Sequence, residues 1–123
     1  MTLIPVEEDR KTIASRFRKA HSFAFSSKGE TLDEGQIIVQ ENPHKTSKSP
    51  EFFEYFKTLK IDTLYIKELG YKTLLTLLDM GIEVYLVKDA LKYNHIKPNE
   101  LLLLDANNGK EYCSLGHNKK DNN

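Results

Sequence analysis

The apolar residues of this chain change their spacing partway along, from every second position to every third or fourth, and that change limits the fold to a mixture of strands and helices. In the first third the period is two. Residues 3–6 form one short apolar run, and residues 22–26 place Phe23 and Phe25 on one side of a second. Gly29 and Gly35 bracket a turn, and the run at residues 36–40 is rich in β-branched and apolar side chains, so it reads as a hairpin partner of residues 22–26. Asn42-Pro43 ends it.

Helical spacing begins at Ser49-Pro50-Glu51, where Ser suits a cap, Pro the first helical position and Glu the positive helix end. Phe52, Phe53, Phe56 and Leu59 then make one stripe, which reads as core. Residues 62–66 read as a buried strand, residues 71–80 as a leucine-rich helix stopped by Gly81, and residues 82–87 as another strand. Such a β-α-β unit makes its two strands parallel. A short helix is expected from about Asp89, and a second where Pro98-Asn99-Glu100 opens residues 101–104, although Asn108-Gly109 would equally turn a hairpin. The expected order is βββαβαβα in one α/β domain of residues 1–112. Residues 113–123 read as a flexible C-terminal tail.

Length and charge set the remaining limits. At 123 residues the chain suffices for one core burying roughly two-thirds of its unfolded surface. Its 18 basic residues balance 18 acidic ones, so no overall field favours nucleic acid or an anionic membrane. No run is long and apolar enough for a membrane span, and the acidic turn after Val6 is unlike a secretory leader. A lone cysteine, Cys113, fits a reducing compartment, so the cytoplasm is expected. Walker-type glycine loops, a nucleophile elbow and paired histidines at metal-protease spacing are all missing, which argues for a binding protein and not an enzyme.

Ile4-Pro5-Val6, then Phe17 and Ala20 ahead of Phe23-Ala24-Phe25, then Glu41-Asn42-Pro43, and later residues 61–66, Gly70 and Gly81-Ile82-Glu83-Val84-Tyr85 stand in a familiar order. Over residues 3–91 the chain resembles the dinitrogenase iron-molybdenum cofactor-binding family, the nitrogenase accessory factor-like proteins. The resemblance implies a three-layer α/β/α ribonuclease H-like fold with a five-stranded mixed sheet. It also implies a carrier of iron-molybdenum or iron-sulfur cluster precursors, with a metal-cluster donor or acceptor protein as partner, as a monomer or weak homodimer. The chain departs from the family in two loops. Arg16-Phe17-Arg18-Lys19-Ala20 stands where the family has His-Phe-Gly-Arg-Ala, and Lys67-Glu68-Leu69-Gly70 replaces a glycine-rich turn. An Asp on the first strand, which ribonuclease H-like nucleases need, is missing too.

Two sites are open to the residues present. Cys113 with His117, or with His21 or His44, would offer soft contacts to a preformed cluster, though one thiol cannot hold an iron-sulfur centre alone. Equally, Cys113 and His117 would sit in the tail without a partner. Arg16, Arg18 and Lys19, together with Gly70 and Lys72 at a helix start, would receive an anionic ligand, or would be ordinary solvated charges. A cofactor-free interaction or regulatory module is the alternative to a carrier.

Overall fold

The computed structural model describes residues 1–27 and 37–114. The turn at Gly29 and Gly35, Gln36 and His117 lie outside them. Six strands make one mixed sheet in the order β3-β2-β1-β4-β5-β6. They are β1 (Thr2–Val6), β2 (Ser22–Ser26), β3 (Ile38–Glu41), β4 (Thr63–Ile66), β5 (Glu83–Val87) and β6 (Leu101–Leu103). Three α-helices accompany them: α1 (Ser49–Lys57), α2 (Tyr71–Asp79) and α3 (Gly109–Tyr112). No helix among the described residues is long and apolar enough to cross a membrane.

Local signals place most of these elements. The β1-β2-β3 meander is antiparallel, with Leu3 opposite Phe25 and Phe23 opposite Gln40. β1 pairs with β4 in parallel, and β4 with β5 in parallel, as a β-α-β connection requires. α1 starts one residue earlier than a Ser49 cap would have it: Lys48 is the N-cap, and its N–H donates to the Glu51 carboxylate at 3.1 Å. α2 ends because Gly81 adopts φ +83, letting its N–H reach Leu78 and the Ile82 N–H reach Leu77.

Strand alternation separates two cores. Leu3, Phe23, Phe25, Leu64, Ile66 and Val84 point to one face, where Phe52 and Phe56 of α1 and Leu74 and Leu77 of α2 cover them. Phe17 joins from the loop after β1, its ring 5.2 Å from Phe52 and 5.3 Å from Phe56, both edge to face. Ile4, Val6, Ala24 and Val87 point the other way and meet Ile13, Ala90 and Tyr93.

That second face departs from the three-layer expectation, because among the described residues no α-helix packs on it. Two irregular segments cover it instead, residues 7–14 and residues 88–100, the latter holding 3-10 turns at Tyr93–His95 and Pro98–Glu100. They are bonded to each other, Ile13 N–H to the Leu91 carbonyl at 2.8 Å and Tyr93 N–H to the Lys11 carbonyl at 3.0 Å. The helix expected at Asp89 is therefore absent: the chain here is held extended by cross-loop bonds and by Glu100, whose carboxylate accepts from the Asp89, Ala90 and Lys97 N–H groups.

The helix expected at residues 101–104 is also corrected. Pro98 opens only one turn, and Leu101–Leu103 pair antiparallel with β5, giving six strands where five were expected. Leu102 and Leu104 face the helical core and Leu101 the other, a period of two that the unbroken leucine run conceals.

The last described residues are packed against the domain. Cys113 is packed in the main core, and Ser114 bridges to Gly70, so the structured chain reaches at least residue 114.

Candidate functional site: a cationic cleft at the start of α2

Three segments converge on one open cleft of about 500 Å³: the loop Ser15, Arg16, Phe17, Arg18 and Lys19, the turn Glu68-Leu69-Gly70 with Thr73 of α2, and Tyr112 with Ser114. The loop is held from beneath by two anchors. Phe17 is buried among the aromatic rings of α1 and β2. Asn42, 1% exposed, donates from its amide nitrogen to the Arg18 and Ala20 carbonyls, both at 3.0 Å, while its oxygen accepts from the His44 N–H. With Phe17 drawn inward, Arg16 and Lys19 are left exposed and Arg18 half-buried.

The opposite wall is fixed by the last described residues. The Tyr71 N–H donates to the Ser114 carbonyl at 2.7 Å, and the Ser114 N–H to the Leu69 carbonyl at 3.1 Å. α3 lies tight against α2 at Gly109, where an added Cβ would fall 2.3 Å from Leu74 Cδ2. Close packing there carries Tyr112 and Ser114 to the cleft. Cys113, between them, turns inward.

Electrostatically the cleft is positive. No ion pair joins Arg16, Arg18 or Lys19 to another described residue, and Glu68 is the single acid in the lining. Gly70 is the N-cap of α2, and no side chain caps that helix end, so its partial positive charge also faces the cleft.

The expected site residues divide clearly. Arg16, Arg18, Lys19 and Gly70 come together. Lys72 is exposed on α2 and does not line the cleft. His21 and His44 lie elsewhere, each with Nδ1 on a serine: His21 to Ser22 at 2.8 Å, and His44 to Ser47 at 2.9 Å with its ring against Tyr55. Cys113 is 7% exposed, and burial pushes its thiol pKa up, away from the thiolate a metal needs. Among the described residues no three His, Cys, Asp or Glu side chains are grouped to hold a metal ion. The donor set described does not suit a thiolate-ligated cluster. Thr73, Tyr112 and Ser114 carry no motif, and only the tertiary fold reveals them, as it does the anchoring role of Asn42.

No family model matches the chain, and no curated protein does. Solved structures do resemble it. The crystal structure of PH0822 superposes with a TM-score of 0.63 at 17% identity, covering 83% of this chain and 92% of that one. The NMR structure of TM1290 from Thermotoga, described as a candidate NifB protein of the DUF35 family, gives 0.53 at 19% identity, covering 73% and 78%. The chain shares their fold. These findings overturn the resemblance to the dinitrogenase iron-molybdenum cofactor-binding family, since no family model supports it and TM1290 is placed in DUF35. The reason is physical. Ile4-Pro5-Val6, Phe23-Ala24-Phe25 and the run from Gly81 to Tyr85 are strand segments or their lead-in, so their apolar alternation follows from a sheet buried on both faces and marks no family.

Proposed function

We propose that this protein is a non-catalytic binding module whose ligand is a small multivalent anion, held between the loop of Arg16, Arg18 and Lys19 and the start of α2. The observation that carries this reading is the meeting of three cationic side chains, without ion-pair partners among the described residues, and a helix N-terminus without a side-chain cap in one cleft. The candidate-NifB description of TM1290 adds an anionic iron-sulfur cluster to the ligands worth offering. In this cleft such a cluster would be held by charge, since no described thiol or imidazole lines it.

The test is an amide-shift titration of the full chain with phosphate, sulfate and tetrathiomolybdate. Shifts at Lys72, Thr73 and residues 16–19 that vanish in Arg16→Glu/Arg18→Glu and weaken with added salt are expected. Unmoved amides at millimolar concentrations of all three anions would refute the reading.

A second reading, a cofactor-free interaction module, draws on the helix-free face. There Leu103 is 48% exposed, and Tyr65 and Tyr85 pack edge to face on partly open strand positions. A stable partner lost on Leu103→Glu, with cleft variants unaffected, would favour it.

A further inference from the structure

We infer that the anion is a phosphate monoester attached to an organic body, with the phosphate at Gly70 and the body against Tyr112; this rests on the anion-binding reading above. Its chemistry comes first. Thr73 Oγ1 and Ser114 Oγ lie 3.9 and 3.8 Å from the point where a side chain on Gly70 would begin. A bare Cα is thus flanked by two hydroxyl donors at a helix end with no side-chain cap. Hydroxyls, helix amides and guanidinium forks are donors to oxygen, and the fork of an arginine matches two phosphate oxygens at once. A metal-sulfur ligand calls for soft partners instead, and none of the described lining residues is one.

Size adds that the phosphate is not alone. At about 500 Å³ the cleft falls within the range of about 300–1,000 Å³ typical of small-molecule sites, far more than a bare oxyanion occupies. Beyond the donors its wall is apolar, with Leu69 and Phe17 behind and Tyr112 at the side, 43% exposed. An exposed ring beside a phosphate site is a stacking surface for a flat group. Glu68 on the same rim would accept a hydrogen bond from a hydroxyl or amine of the body, whereas it would only repel a second phosphate. A nucleoside monophosphate combines all of these features.

The experiment is calorimetric titration of the full-length protein with AMP, adenosine, inorganic phosphate and tetrathiomolybdate. AMP is expected to bind about tenfold or more tighter than either phosphate or adenosine. Tyr112→Ala should bring AMP down to the affinity of phosphate and leave phosphate unchanged, while Tyr112→Phe, which keeps the ring, should behave as the wild type. Circular dichroism confirms that each variant is folded. Equal affinity for AMP and phosphate would overturn the inference and leave the anion reading intact. Tetrathiomolybdate binding where AMP does not would also overturn it, pointing to a metal-sulfur anion. Failure of every anion to bind would remove both readings together.

Discussion

The two faces of the sheet are stabilised by different physics. One is buried under α1 and α2 by phenylalanines and leucines with almost no surface left, and its stability comes from area removed from water and close packing. The other is closed by two loops that contain no α-helix and are tied by backbone bonds to each other and by two carboxylates. Asp9 accepts from the Lys11 and Thr12 N–H groups and the Thr12 hydroxyl, and Glu100 from three N–H groups of its own loop. A fold of this size thus divides its work. The helical face supplies cohesion, and the loop face carries conditional, titratable closure.

The largest test of that division is Phe52→Ala. Phe52 is fully buried and touches the rings of Phe17, Phe23 and Phe56, so its removal should cost about 4 kcal/mol. Denaturant melts should show the whole domain losing stability. A small loss confined to the loops would break the comparison.

Next in size is Asn42→Ala, which leaves the Arg18 and Ala20 carbonyls without that amide partner and should cost about 2 kcal/mol. Because Asn42 pins the cationic loop from below, the variant should also bind anions more weakly while the strands keep their hydrogen-exchange protection. Unchanged binding would show that Phe17 alone positions the loop.

The smallest effect is acid opening of the loop face. Hydrogen bonds from the Thr12 hydroxyl, then from the Thr12 and Lys11 amides, lower Asp9 from an ordinary 3.8 to about 2. Those from Ala90, Lys97 and Asp89 lower Glu100, the Ala90 bond most. A carboxylate whose pKa is lower folded than unfolded stabilises the fold fully above its unfolded pKa and loses that contribution as pH falls through the folded value. Amides of residues 7–14 and 88–100 should therefore lose protection between about pH 4 and pH 2 before those of β2 and α1. Simultaneous loss across both faces would mean the loops are not a separate unit.

How far the sequence could be read follows the same division. Where period and punctuation agree, as at Phe23 and Phe25, at Pro50 and Glu51, or from Tyr71 to Gly81, residues alone place the element. The leucines at 101–104 have no polar residue between them to set a period, and Pro98 opens a 3-10 turn as readily as a helix. At residues 88–100 order comes from partners some eighty residues distant in sequence, such as Lys11 and Ile13, which no local window contains. The cleft was half legible. Arg16, Arg18, Lys19 and Gly70 stand out by type, but Ser114 and Tyr112 reach it only because Gly109 lets α3 lie against α2. The same packing buries Cys113, which by sequence alone reads as the first residue of a flexible tail.

The placing of β1 at the middle of the sheet has a consequence for how the molecule is made. Its antiparallel neighbour β2 follows within twenty residues, so the meander can assemble as soon as it leaves the ribosome. Its parallel neighbour β4 is encoded sixty residues later, after α1. During synthesis β1, buried along its whole length in the finished fold, therefore waits with one edge unpaired until Thr63–Ile66 has been made, and an unpaired edge is a template for pairing with another chain.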